Sequence, residues 1–325
     1  MIEVLVTIAI PCYKSAQTLP YVVDEIKGVF EKQSLHDYEI VLVNDSPNSG
    51  TFEAIQKLAE QNRNIVGIDL SRNFGQASAR MAAIAYAKGD MIVFMDDDGQ
   101  HPAEEIHKFI EKIEEGYDVV YGKIVNKKHS IFKKVTSRIN TILLEAMGIA
   151  PKGLSLSSFF AINRFCADRI LEYKSPFPSM MSFLMQITNS ITNVEVKHRE
   201  RKEGASGYTL KKLVNLWLNN MTNFSMVPLR IATFLGFLVA AAGFLYGVVI
   251  IVLKLLHPER ISGYTSIMAV VLFLGGLIMI MLGILGEFIG RIYMTSSDKP
   301  QYIVRQTVNS ENALHSDSVS GATIE

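Results

Sequence analysis

Two stretches of this 325-residue chain carry no Asp, Glu, Lys or Arg: Ile231–Leu253, 23 residues long, and Ser262–Gly286, 25 residues long. A helix needs about 20 apolar residues to cross a hydrocarbon core. Both stretches reach that length, and buried helices of soluble proteins rarely stay charge-free so long. Lys254–Ile261 between them is short and contains Pro258, so the pair reads as a hairpin, with spans expected near 231–253 and 264–287 of a unit covering 230–291. Lys211, Lys212 and Arg230 precede the hairpin, Arg291, Lys299 and Arg305 follow it, and Lys254 and Arg260 lie in its turn. The positive-inside rule then puts both termini in the cytoplasm, in a multi-pass membrane protein. Glu287 falls at the inner end of the second span, where it pairs with Arg291 or a neighbouring subunit, or reaches water. Residues 209–229 read as a juxtamembrane amphipathic helix, with Leu210, Leu213, Val214, Trp217, Leu218 and Met221 on its apolar side. Residues 292–325 read as a cytoplasmic tail, polar from about Ser310.

The rest of the chain has a different pattern. Apolar strand-like segments at Val4–Ile10, Tyr38–Val43, Ile65–Leu70, Met91–Met95 and Asp118–Gly122 alternate with helical ones at Leu19–Lys32, Thr51–Gln61, Gly75–Lys88 and Pro102–Glu115. That alternation predicts an α/β domain with a parallel sheet built of βαβ units, buried on both faces. A further strand is expected at Ile191–Val196. The formal net charge is zero, which argues against a nucleic-acid partner. Cys12 and Cys166 are the only cysteines, too few and too far apart for a disulfide framework or a zinc site. The N-terminus runs into a strand without a basic leader, so no signal peptide is expected.

The candidate chemistry lies where the strands end. Met95-Asp96-Asp97-Asp98-Gly99-Gln100-His101-Pro102 follows the strand Met91–Phe94. Three carboxylates and an amide thus gather at a strand's C-terminal end, the edge where open α/β sheets bind ligands. Like charges so close repel, and a hard divalent cation such as Mg²⁺ or Mn²⁺ would relieve them while bridging to a substrate's phosphates. A solvated acidic turn capping the helix after Pro102 is the other reading. Pro11-Cys12-Tyr13 ends the first strand and Asn44-Asp45-Ser46 the second, and Ser71-Arg72-Asn73-Phe74-Gly75 follows the third. A tyrosine ring can stack on a base, a carboxylate can accept from a base or ribose, and an arginine can hold a phosphate. Asn44–Gly50 also fits a self-capped turn. Two basic stretches, Lys127–Arg138 and Lys197–Lys202, suit either anionic lipid or a ligand's phosphates, and the first also suits a solvated helix face.

These segments stand in the order and rough spacing of glycosyltransferase family 2. Over about residues 4–305 the chain resembles that family's membrane branch, the polyprenyl-phosphate glycosyltransferases, which include dolichol-phosphate mannose synthases and the bactoprenol glucosyl and aminoarabinose transferases. Arg201-Lys202-Glu203-Gly204-Ala205-Ser206-Gly207-Tyr208 and Gly286-Glu287-Phe288-Ile289-Gly290-Arg291 belong to the same resemblance. It implies a GT-A-type, mostly parallel (Rossmann-like) catalytic domain over 1–208, followed by the interfacial helix and the hairpin. The implied reaction is inverting transfer of one sugar from a nucleotide-sugar, a UDP-sugar before a GDP-sugar, to a polyprenyl phosphate. In a bacterium that acceptor is undecaprenyl phosphate, used at the inner face of the plasma membrane to modify a cell-envelope glycan.

The resemblance also implies roles for residues. Asp96, Asp98 and Gln100 would hold Mg²⁺ or Mn²⁺. Pro11, Tyr13, Asp45, Arg72, Asp96, Asp97 and Lys123 would bind the nucleotide-sugar. Arg199, Arg201, Lys202, Ser206 and Tyr208 would meet the acceptor phosphate, with Asp98 and Arg201 central to catalysis. Relatives further imply a homo-oligomer, a tetramer. Several positions depart from the family pattern. Lys14-Ser15 replaces a common Asn-Glu, Asn44 a common acid, and Lys123 an arginine. Ser157-Ser158-Phe159-Phe160 stands where some relatives carry Gly-Asp-Phe-Arg, whose aspartate is a proposed base. A phosphate monoester, with its second pKa near 6, is already largely dianionic at neutral pH, so it needs positioning more than a base. Two other functions fit less well: a processive polysaccharide synthase, whose Gln-x-x-Arg-Trp segment is missing, and a non-catalytic nucleotide-sugar-binding membrane subunit.

Overall fold

A computed structural model describes residues 4–33, 36–124, 153–176, 178–197, 199, 227–256, 263–297 and 299–310. The expected helix near Ser130–Met147, the basic run Lys127–Arg138 and most of the juxtamembrane helix 209–229 lie outside them.

The first half of the chain alternates as its sequence predicts. The order is β1 (Leu5–Cys12), α1 (Leu19–Gln33), β2 (Asp37–Asn44), α2 (Thr51–Gln61), β3 (Ile65–Leu70), α3 (Gln76–Tyr86), β4 (Met91–Phe94), α4 (Ile106–Glu114) and β5 (Val119–Ile124). The helix expected over Pro102–Glu115 begins as a 3-10 turn at Ala103–Glu105. β6 (Phe160–Asn163), α5 (Arg164–Leu171), α6 (Met180–Ile187) and β7 (Ile191–Val196) follow. Two long helices come next, α7 (Val227–Leu256) and α8 (Tyr264–Ser296), and then β8 (Val304–Val308).

Eight strands form one sheet in the order β7-β5-β6-β4-β1-β2-β3-β8. β1 pairs parallel with β2 and β4, β2 with β3, and β5 with β7. The sheet is therefore mostly parallel but not wholly so. β6 runs antiparallel between β4 and β5, and β8 antiparallel along β3. Helices cover the sheet through regular apolar stripes: Leu19, Val22, Val23, Ile26 and Phe30 on α1, and Ile106, Phe109, Ile110 and Ile113 on α4, are all buried. Spacings of three and four residues keep such a stripe on one side of a helix. Cys12 and Cys166 are buried free thiols, consistent with packing roles.

The chain divides into two compact units, residues 1–206 with 299–325, and residues 207–298. In the second unit α7 and α8 each contain a stretch long and apolar enough to cross a membrane, Ala232–Val249 and Phe273–Ser296. Large apolar side chains such as Phe234, Phe237, Phe244, Phe273 and Met279 are exposed along them, which suits lipid and not water. The helices pack closely at Gly236, where an added Cβ would lie 2.7 Å from Met281 Cε. A small residue of this kind lets membrane helices approach each other. Residues 292–310 do not form a simple tail: α8 extends to Ser296, and β8 joins the sheet of the first unit.

Candidate active site

Register places the functional loops on one sheet edge. β1, β2, β3 and β4 run in the same direction, so Pro11–Ser15, Asp45–Ser46, Ser71–Gly75 and Met95–Pro102 emerge together. The antiparallel strands add to this edge from the other direction. Phe94 pairs with Phe160 and Leu70 with Val304, so the residues leading into β6 and β8 arrive at the edge where the parallel strands leave it. Ile124 pairs with Val196, which brings Lys197 and Arg199 to that edge as well.

The three aspartates of the acidic turn point to different partners. Asp97 Oδ2 accepts from the Tyr13 amide at 2.7 Å, tying this turn to the end of β1. Burial pushes the Asp97 carboxyl up, the Tyr13 amide opposes the shift, and Asp96 and Asp98 add to it. Asp96 Oδ1 accepts from Gln76 Nε2 at 2.8 Å and its Oδ2 from Ser158 Oγ at 2.6 Å. Arg80 Nη2 lies 3.5 Å from Asp96 Oδ1. Asp98 Oδ1 accepts from the Gln100 amide at 3.1 Å, closing the turn. His101 is buried, stacks on Phe159 at 4.7 Å, and accepts at Nδ1 from the Asp96 amide at 3.0 Å. With Nδ1 an acceptor, the neutral ring carries its proton on Nε2, 3.8 Å from Asp96 Oδ2. A cavity of about 230 Å³ opens beside these groups, lined in part by Asp96, Gln100, His101, Ser158 and Lys197.

The donor set fits a hard cation. Asp96 and Asp98 would supply carboxylate oxygens, and Gln100 directs its Nε2 to the Arg199 carbonyl at 3.4 Å, so its Oε1 would be the end turned to a cation. Among the described residues no three His, Cys, Asp or Glu side chains converge as a preformed metal cage. Mg²⁺ commonly takes one or two carboxylates and completes its shell with water and substrate phosphates, so two aspartates are enough for such a site.

Asp45, expected at the nucleotide, also has a structural role. It is buried, and its two carboxylate oxygens accept from the Phe74 and Gly75 amides at 2.7 and 2.8 Å. Burial raises its pKa and both amides oppose the rise. Asp45 thus fixes the Ser71–Gly75 loop, whose Gly75 adopts φ +90°, a conformation side chains rarely tolerate. Arg72 lies over the Phe74 ring at 4.8 Å in that loop. Tyr13 is 53 % exposed, leaving its ring open to a ligand, and Lys14 Nζ sits 5.6 Å from its centroid. Pro11 is buried within β1 opposite Val43 and shapes the strand end. Lys123 is exposed near the end of β5.

Arg199, expected at an acceptor phosphate, points its guanidinium at Glu25 (2.7 Å) and Glu104 (3.6 Å). Glu25 also accepts from the Ala103 amide at 2.9 Å, so the pair braces the acidic turn against α1. Arg201, Lys202, Ser206 and Tyr208 lie outside the described residues. Sequence reasoning did not assign roles to Ser158 and His101 at Asp96, nor to Glu25. Their signals were present: Ser158 occupies the position of the missing acid, and His101 belongs to the acidic motif itself.

Comparison with known proteins identifies the family. Residues 7–183 match the family model of glycosyl transferase family 2, and residues 227–292 match the GtrB C-terminal hairpin. The uncharacterized glycosyltransferase YkcC of Bacillus subtilis is 33% identical over 94% of this chain and 95% of its own. The undecaprenyl-phosphate 4-deoxy-4-formamido-L-arabinose transferase of Photorhabdus laumondii is 32% identical over 93% of this chain and 94% of its own. Among solved structures, the mannosyl-3-phosphoglycerate synthase of Rubrobacter xylanophilus covers 66% of this chain and 70% of its own, at 18% identity and a TM-score of 0.47.

Proposed function

Because the chain belongs to glycosyl transferase family 2, it is a glycosyltransferase, and we propose that it moves one sugar from a nucleotide-sugar to a polyprenyl phosphate, undecaprenyl phosphate in a bacterium. The observation that carries this reading is the gathering of Asp96, Asp98, Gln100, Ser158 and Lys197 at one sheet edge in a chain with a membrane hairpin. A relative that matches along nearly the whole chain is named for transfer to undecaprenyl phosphate.

The acceptor phosphate oxygen attacks the anomeric carbon from the face opposite the nucleotide. A new C–O bond forms, the bond to the nucleoside diphosphate breaks, and the configuration inverts. Asp96, Asp98 and Gln100 would hold Mg²⁺ or Mn²⁺, which would supply positive charge to the departing diphosphate. Asp97 holds the acidic turn to β1 through the Tyr13 amide, and Ser158, Gln76 and His101 orient Asp96. The exposed Tyr13 ring offers a face to the base, and Asp45 acts on the nucleotide through the Ser71–Gly75 loop it fixes. Arg201 and Lys202 would hold the acceptor phosphate or the donor diphosphate. No acid occupies the Ser157–Ser158 position, and a dianionic acceptor does not need one to take its proton.

The hairpin keeps the catalytic domain at the membrane. Residues before α7 and after α8 belong to one sheet, since β7 and β8 are both part of it. The chain between them therefore crosses an even number of times, which supports a catalytic domain and C-terminus on the same, cytoplasmic, side of the bacterial inner membrane. A homo-oligomer, a tetramer by family resemblance, completes the proposal.

The test is transfer by purified full-length protein in detergent, with undecaprenyl phosphate, Mg²⁺ or Mn²⁺ and a panel of UDP- and GDP-sugars. One monoglycosylated lipid, seen by mass spectrometry, is expected from one donor, with no product from Asp98→Asn. Retained activity in Asp98→Asn refutes the metal assignment, and a polymeric product refutes single-sugar transfer.

A further inference from the structure

We propose that Arg305, which follows the membrane hairpin, is a positioning residue of the donor site. Arg305 Nη2 donates to the Ser71 carbonyl at 2.7 Å, and its Nη1 lies 3.9 Å from Asp69 Oδ2. Beside it, the Ser71 amide donates to the Ile303 carbonyl at 2.9 Å. The Ser71–Gly75 loop is therefore held at both ends, at its start by residues from beyond α8 and at its end by Asp45.

The pairing extends further. Asp69 is buried, and its Oδ1 accepts from Asn44 Nδ2 at 2.7 Å. Asn44 Oδ1 accepts from the Ser46 amide and hydroxyl, and Ser46 Oγ accepts from the Lys14 amide next to Tyr13. Arg305 is the cation that faces this buried carboxylate from β8. Without it, the buried Asp69 loses the cation beside it and the loop loses a charge-assisted bond at Ser71. The two segments that Arg305 thereby steadies, Ser71–Gly75 and Asn44–Ser46, are those assigned above to the donor nucleotide. The inference rests on that assignment.

The experiment compares full-length wild type with Arg305→Met, Arg305→Lys and Val308→Ala. Each is titrated with UDP and GDP in the presence of Mg²⁺, and amide exchange is followed across residues 71–75. Val308 lies on β8 over Gly67, away from the loop, so Val308→Ala reports on loss of strand packing alone. Arg305→Met should bind nucleotide about tenfold more weakly, the loss of one charged hydrogen bond. It should also raise the donor KM, leave the KM for the lipid acceptor unchanged, and speed exchange at Ser71. Arg305→Lys should recover part of the loss, since an ammonium reaches one acceptor where the guanidinium reaches two. Val308→Ala should lower the melting temperature and keep nucleotide affinity within about twofold. Arg305→Met binding and exchanging like wild type overturns the inference, as does a loss of affinity matched by Val308→Ala. A wild type that binds neither nucleotide overturns the donor-site assignment instead.

Discussion

The two halves of the functional sheet edge use carboxylates in opposite ways. On the β1–β2–β3 side Asp45 is buried, and both its oxygens are committed to backbone amides of the next loop. Asp97 reaches this side too, through the Tyr13 amide. On the β4–β6–β5 side Asp96 is partly exposed and bound by side chains, Ser158 and Gln76, beside a cavity. Backbone amides hold a loop in one shape. Side-chain hydroxyls and amides orient a carboxylate that can still meet a ligand. One half of the edge fixes its loop through backbone amides, and the other leaves a partly exposed carboxylate beside a cavity, although both are short acidic motifs in sequence.

Substitutions should separate the two. Asp96→Asn should lower kcat by about a hundredfold or more, as expected when a preorganised charge is lost from a transfer site. Its unfolding free energy should stay within about 0.5 kcal/mol of wild type. Asp45→Ala should show the converse first: two amides lose their acceptor, and about 2 kcal/mol of stability is lost in chemical denaturation. If Asp45→Ala keeps its stability and loses only activity, the contrast between the halves disappears. Ser158→Ala should lower kcat only a few-fold, about 1 kcal/mol for one hydrogen bond, with an unchanged melting temperature.

The smallest effect is one of pH. Burial holds the folded Asp45 carboxyl above its ordinary value of 3.8. Between those two values the folded chain binds more protons here than the unfolded one, so this group's contribution to stability falls as pH rises through that window. Across the window, wild type should lose stability with rising pH relative to Asp45→Asn in thermal melts, because the substituted chain lacks this titration.

Much of this was legible in the sequence, for physical reasons. Thr51–Gln61, Ile65–Leu70 and Ile191–Val196 match their elements residue for residue because helical spacing and unbroken apolar runs are local signals. The directions of β6 and β8 were not legible. A four-residue strand such as Phe160–Asn163 looks the same in either direction, and register is settled by partners distant in sequence. That explains which site residues were missed. Ser158 reaches Asp96 because β6 enters the sheet at the edge where β4 leaves it, and Arg305 reaches Ser71 because β8 does the same beside β3. In the sequence Arg305 was only one more positive charge after a membrane span. The pairing of Arg199 with Glu25 and Glu104 was not legible either, because neither is near it in the chain.

The last strand also orders events during synthesis. β3 is made early, but the strand that covers its edge is made only after the whole hairpin. At about 5–20 residues per second, that edge waits tens of seconds for its partner. An open edge invites pairing with other chains until it is covered. A ribosome making this protein thus finishes the sheet only after both long helices, since β8 follows α8 in the chain.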